Sequence, residues 1–288
     1  MWQIIHTYRL SFRALRFMQM VFVLCFIWSG ISIADEKLSV YVSISPQKYL
    51  VERIGHEYVA VQVMLKPGDE PETYDPTPRQ LTALAGAQLY FCIGVPFERA
   101  WAKVIHKGNP KLKLVGCDES IVGLHSHTLD NHIWTSPGNA KILATEIRKH
   151  LVEYDPLHEK QYAANYAALM SELERLDEEI RLMLDGRRTS YFIISHPSLG
   201  HYARDYGLIQ LSLEKDGKGY GAKNLGEIMQ TAKQENIRTV FFQKQHGAAA
   251  ARAFAAELGA ELIEIDPLRE DFINNLHEIS GLIARAVH

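Results

Sequence analysis

The sequence lacks a hydrophobic run long enough to cross a bilayer. Its most apolar stretch, Phe17 to Trp28, is about twelve residues, against the ~20 that a spanning helix needs. It has no internal repeat and no low-complexity tract, so collagen-like and disordered chains are set aside. It has no basic excess: 31 Lys and Arg stand against 34 Asp and Glu, a formal charge of -3. The first 34 residues hold Arg9, Arg13 and Arg16 and no acid, so without them 31 less 3 leaves 28 basic residues against 34 acidic, or -6. Such a surface offers no general attraction for phosphates, and no nucleic-acid partner is expected. Cysteine is scarce, with Cys25, Cys92 and Cys117 alone. What is present is a globular composition, 47% hydrophobic and 23% charged in 288 residues, enough for one large or two ordinary domains.

Residues 1–34 read as a secretory signal: basic to Arg16, then the apolar run, then small and polar residues to Ala34, where cleavage is expected. Cys25 lies inside that run behind Leu24, which argues against a lipid-modified N-terminus. An oxidising compartment would permit Cys92 and Cys117, each at the end of an expected strand, to join; two buried thiols satisfy the spacing equally well.

From Leu38, β-branched and aromatic runs alternate with amphipathic stretches. Strands are expected at 39–43, 59–65, 88–92 and 113–115, and again at 190–194, 208–211, 239–242 and 261–265, with helices between them. Such alternation implies an α/β protein of two lobes, each a parallel sheet covered by helices. The expected division is an N-terminal lobe over 35–154, a connecting helix over 155–185 and a C-terminal lobe over 186–288. Asp155-Pro156 opens the helix, and neither Gly nor Pro interrupts it before Gly186. Tyr162, Tyr166, Leu169, Leu173, Leu176, Ile180 and Leu184 repeat every three or four residues, one apolar stripe along the rod. Beside two α/β halves that stripe fits packing within the chain better than a coiled-coil dimer, and a monomer is expected.

In open α/β sheets ligands bind beyond the carboxyl ends of the strands. Four metal-donor residues fall there, two from each half: Glu72 in the Pro67-to-Pro78 segment, His132 ahead of a helix, His196 after Ile194-Ser195, and Asp266 after Ile265. Two imidazoles and two carboxylates satisfy a divalent cation such as zinc. Taken singly, each is as well explained as a cap or turn former.

These segments resemble the TroA-like family of metal-binding solute-binding proteins, the extracytoplasmic receptors of ABC transporters for zinc and manganese. Pro67-Gly68 with Tyr74-Asp75-Pro76-Thr77-Pro78, His132-Ile133-Trp134, Ser195-His196-Pro197 with the run Tyr202 to Leu208, and Asp266-Pro267-Leu268 stand in the order of that family's four ligand loops. The resemblance covers essentially the whole chain after residue 34. It implies a metal site of Glu72, His132, His196 and Asp266, and an ABC membrane permease as partner. It also implies a periplasmic location and no enzymatic activity. Two departures stand out: Glu72 occupies a position where the family usually has His, and the long His-rich loop common before the second motif is reduced to His125-Ser126-His127. Either of those two histidines is an alternative source of the missing imidazole.

Retention of His at the third motif keeps Zn2+ ahead of Mn2+ or Fe2+, since zinc binds nitrogen and oxygen donors more tightly. The rival classes are a zinc hydrolase, with Glu72 as base, and a surface adhesin. Ser195-His196 is no nucleophile-base pair, because neighbours on extended backbone point to opposite sides. Gly217-Lys-Gly-Tyr-Gly221 matches no nucleotide fingerprint; the whole Glu214-to-Ala222 segment reads as a mobile loop. Trp134 and Tyr74 are expected to wall the site, Arg204-Asp205 to pair on a helix face, and His106, His150, His158, His201, His246 and His277 to be ordinary. Imidazoles ligate only when neutral and ordinarily titrate near ~6.5. Metal affinity is therefore expected to fall between pH 7.5 and 5; titrations giving the same affinity at both ends would remove imidazole from the donor set.

Overall fold

Val40, Tyr41 and Val42, on alternate faces of one strand, are almost wholly inaccessible, and a strand buried on both faces takes a central place in a parallel sheet. The computed structural model describes residues 36–117, 130–215, 218–243 and 248–288. The expected signal segment to Ala34, together with His125, His127 and His246, lies outside them. The first half contains β1 (Leu38–Val42), α1 (Ser45–Gly55), β2 (Val59–Val63), α2 (Pro78–Ala83), β3 (Leu89–Phe91), α3 (Pro96–Gly108), β4 (Lys113–Val115) and α4 (Pro137–Tyr154). Its strands pair in parallel in the order β2-β1-β3-β4. Val40 sits opposite Val61 on one side and Leu89 on the other. β2 alternates between buried and accessible residues, as an edge strand does.

After the long helix α5 (Glu159–Met183) come β5 (Tyr191–Ile194), α6 (Gly200–Asp205), β6 (Ile209–Ser212), the short hairpin β7 (Glu214–Lys215) and β8 (Lys218–Gly219), α7 (Ala222–Gln234), β9 (Thr239–Phe242), α8 (Ala248–Leu258), β10 (Glu261–Glu264) and α9 (Phe272–Val287). The second parallel sheet runs β10-β9-β5-β6, and β7 pairs with β8 antiparallel. The expected two-lobed α/β architecture is therefore present, with all eight expected strands. In each sheet the first strand of the half has neighbours on both sides, β1 between β2 and β3 and β5 between β6 and β9. Successive connections there leave in opposite directions and open a crevice at the strands' carboxyl ends.

The rod expected over 155–185 is helical over Glu159–Met183, preceded by a single tight turn at Pro156–His158. Asp155 explains the delayed start: its carboxylate accepts from His158 Nδ1 at 2.7 Å and from Tyr162 Oη at 2.5 Å, drawing the first turn inward. His158 also stacks on Tyr58, with ring centroids 3.8 Å apart. At 1.5 Å per residue the 25 residues of α5 span about 37 Å. Its stripe packs against α1, α4 and α9. Leu169, Leu173 and Ile180 are fully buried, each contributing about 2 kcal/mol by area removed from water. Tyr166 is the half-buried member, hydrogen-bonded to Thr145 Oγ1 at 2.9 Å. Arg53 of α1 reaches Glu172 of α5 with two bonds of 2.9 and 2.6 Å.

One apolar cluster joins Val40 and Phe91 of the first sheet, Leu173 of α5, Phe192 of the second sheet and Ile283 of α9. Ile193 and Val240 face the other way and pack with Ala251 and Phe254 of α8. Lys37–His288 accordingly forms one compact unit. Among the described residues no helix is long and apolar enough to cross a membrane.

Cys92 and Cys117, following β3 and β4, form a disulfide with Cα atoms 5.0 Å apart across 25 residues. Closing a loop of that order stabilises a fold by about 3 kcal/mol in the chain-entropy view. Beside it, Glu98 of α3 is fully buried. It accepts from Ile93 N at 2.8 Å, from Gly94 N at 2.7 Å and from Ser43 Oγ. Burial raises its pKa, the hydroxyl and backbone donors pull it back, and the balance is about 7. Between the ordinary value of 4.5 and about 7, the unfolded chain has released this proton while the native one keeps it. Stability must therefore fall as pH rises through that window, by about 3 kcal/mol from this group, and level off above it. Urea unfolding from pH 4.5 to 8 is expected to give this slope in the wild type and to lose it in Glu98→Gln; equal slopes in both would refute the assignment.

Candidate metal centre

Three residues ahead of the single turn Ile133–Thr135, Asp130 folds its carboxylate back over the chain. Oδ1 accepts from His132 N at 2.9 Å and from His132 Nδ1 at 2.7 Å. Thr135 closes the turn from the other side, its hydroxyl and backbone N–H both donating to His132 O at 2.9 and 3.2 Å. Ser136 then caps α4 by accepting from Asn139 N at 3.1 Å. His132 is thereby buried, 6% exposed, with Nε2 aimed into the crevice.

His196 leaves the carboxyl end of β5 and is 1% exposed. Its Nδ1 bonds Glu214 Oε1 on β7 at 2.8 Å, leaving Nε2 to face His132 Nε2 at 3.0 Å. Glu72 comes from the loop beyond β2. That loop is braced by Lys66 N on Asp69 Oδ2 at 2.8 Å and by Tyr74 Oη on Met64 O at 2.8 Å. Glu72 Oε1 lies 3.7 Å from His132 Nε2 and 3.6 Å from His196 Nε2.

These three donors form a group whose ligand atoms all lie within 4.8 Å of one another. Zinc ligands sit about 2.0–2.2 Å from the ion, so two of them in tetrahedral array are about 3.3 Å apart. The separations of 3.0, 3.6 and 3.7 Å bracket that figure. Both Nδ1 atoms bond carboxylates, the arrangement that fixes a metal-ligating imidazole. At Asp130, burial raises the carboxyl pKa, but the hydrogen bond and charge of His132 outweigh it, and the net shift is downward.

Asp266, the fourth expected donor, stands outside this group. It is exposed on the loop after β10, where Oδ1 accepts from Leu268 N at 3.0 Å and its carbonyl from Asn275 Nδ2 at 2.8 Å. Trp134 walls the site as expected, its ring 5.1 Å from that of His132; Tyr74 instead bonds away from it, to Met64. Ser195 accepts from Gln243 N at 3.3 Å while His196 turns to Glu214, so these neighbours form no hydrolase pair.

One expectation needs correction. The Glu214-to-Ala222 segment, expected as a mobile loop, contains a hairpin whose Glu214 holds a site histidine. Nothing in its Gly-rich surroundings marks that residue. His201 is a core histidine rather than a ligand, as expected, buried and donating from Nε2 to Asp130 O at 2.9 Å, and Asp205 accepts from Ser136 Oγ. Asp130 itself was detectable, since Asp two residues before a turn residue is a common backbone cap.

A crevice between two parallel-sheet lobes, lined by a His-His-carboxylate trio with outer carboxylates, defines a metal-binding solute-binding protein. The family model described as zinc-uptake complex component A, periplasmic, matches residues 40–285, and the chain belongs to that family. Its members are metal-binding transport receptors, not enzymes. A crystal structure of ZnuA is 38% identical, with a TM-score of 0.82, covering 88% of this chain and 100% of that one. A putative metal-binding protein of Chlamydia trachomatis is 28% identical over 93% of this chain and 99% of its own. The iron-binding protein YfeA of Yersinia pestis is 26% identical over 78% of this chain and 76% of its own.

Proposed function

We propose that the protein captures Zn2+ on Glu72, His132 and His196 outside the cytoplasm and delivers it to the membrane permease of an ABC importer. The observation that carries this reading is the trio itself, two imidazole nitrogens and a carboxylate oxygen converging at zinc-like separations. Membership of a zinc-uptake family supports the same cargo. Asp266 supplies the fourth donor in the metal-bound state, from a loop with an exposed carboxylate. Because the donors come from both lobes, the bound ion favours one mutual arrangement of loops, and that difference is what a permease recognises. The Cys92–Cys117 disulfide supports an oxidising, periplasmic setting, reached through the signal segment. The protein acts as a monomer without a nucleic-acid partner.

Iron is the second reading, favoured by the similarity to an iron-binding relative and by the carboxylate at position 72; manganese shares the second argument. Harder cations prefer oxygen, yet two imidazoles keep the balance with zinc. Metal-stripped protein is expected to take up a single Zn2+ that equimolar Mn2+ or Fe2+ does not displace. Glu72→Ala should weaken zinc by more than the ~10–100-fold that loss of an outer carboxylate costs. Asp266→Ala should weaken it less. Displacement of zinc by either competitor would overturn the cargo, and unchanged affinity in Glu72→Ala would overturn the donor set.

A further inference from the structure

We infer that Asp130 and Glu214 are positioning residues that orient the two imidazole ligands, and that through them the C-terminal lobe holds both imidazoles as one preset pair. This deepens the zinc-capture reading and rests on it. A carboxylate oxygen can only accept, so the 2.7 and 2.8 Å contacts place a hydrogen on Nδ1 of His132 and of His196. Each Nε2 is then left with its lone pair, directed at the same point. Without that fixed tautomer, an imidazole can offer a hydrogen to the metal position instead.

His132 lies between β4 and α4, but its hold comes from α6 of the other lobe. His201 Nε2 donates to Asp130 O at 2.9 Å, and Arg204 Nη1 donates to His201 Nδ1 at 3.1 Å, which fixes the His201 tautomer as well. Asp130 Oδ2 lies so near Gly200 that a side-chain carbon there would overlap it. Four residues beyond His132, Ser136 Oγ donates to Asp205 Oδ2. Residues from both ends of α6 thus grip the chain on either side of His132. His196 is oriented within its own lobe, by Glu214 of β7. Glu72 differs, because its loop is braced on Met64 and Lys66 beside β2. The imidazoles are therefore supported from one lobe and the carboxylate from the other.

The test uses the full chain in metal-free and zinc-bound form. Imidazole 15N shifts of the metal-free protein read the tautomers directly, and zinc affinity is measured by chelator competition. Both His132 and His196 are expected to carry hydrogen on Nδ1 in the wild type. Asp130→Ala should disturb His132 alone and Glu214→Ala His196 alone, each weakening zinc by about 10–100-fold. Gly200→Ala, which alters neither ligand nor carboxylate, should disturb His132 and weaken zinc by displacing Asp130. Gly200→Ala also serves where Asp130→Ala does not fold, since Asp130→Asn would keep an oxygen that accepts from Nδ1. Unchanged tautomers and unchanged affinity in the folded variants would overturn the positioning role. A wild type that binds no zinc would instead overturn the proposed cargo, and the tautomer signals would still decide the positioning claim.

Discussion

Two imidazole nitrogens 3.0 Å apart, each bearing a lone pair, repel one another unless something positive lies between them. Holding them there requires that both rings be fixed from behind, which is what Asp130 and Glu214 do at the Nδ1 atoms. Every other feature of the crevice serves that constraint. The site has to be buried enough that water does not substitute for the metal, yet it must accept a dication at one point. His132 and His196 are nearly inaccessible, while Glu72 remains about a quarter exposed in its side chain. Three carboxylates, those of Glu72, Asp130 and Glu214, surround two rings that ligate in neutral form. Their combined charge favours a dication over a monocation and compensates for the water that it sheds.

The scaffold makes the repulsion affordable through rigidity. Each lobe puts its switch point at the same end of its sheet, so loops from separate chains of connections converge without a long structureless segment. α5 then prevents the lobes from relaxing apart: its buried stripe packs on α1, α4 and α9, and one apolar cluster runs from the first sheet to the second. The ion pair of Arg53 with Glu172 and that of Lys48 with Glu270 at 2.8 Å add bonds between elements far apart in sequence. Lys48 on α1 meets Glu270 on the loop that carries Asp266, so the Asp266 loop is tethered to the opposite lobe.

Much of this was legible in the sequence because it depends on periodicity. The eight strands follow from β-branched runs and the stripe of α5 from its three-and-four spacing; the N-terminus of α5 was not, because a side-chain event at Asp155 overrides the Pro156 start signal. Within the site, His132 and His196 stand out as strand-end or pre-helix histidines next to Pro or a turn. Glu214 does not. Its role depends on the parallel register of β5 and β6, in which Ile194 lies opposite Ser212 and His196, two residues on, meets Glu214, a tertiary fact with no local spacing to announce it. Gly200 escaped notice, and His201 was read only as a non-ligand histidine, for the same reason: their importance lies in how closely α6 approaches Asp130. Resemblance to a family located the four loops, but it said nothing about which lobe steadies each ring.

The departure at position 72 is best understood through that division of support. A third imidazole on the Glu72 loop would need its own partner at Nδ1 to present the correct nitrogen, as each ring of the pair does. A carboxylate has no tautomer to fix, and either oxygen can ligate. It therefore tolerates a support separate from that of the imidazole pair, and its charge draws the cation. The chain thus supports its orientation-sensitive donors from one side of the crevice and its orientation-tolerant donor from the other.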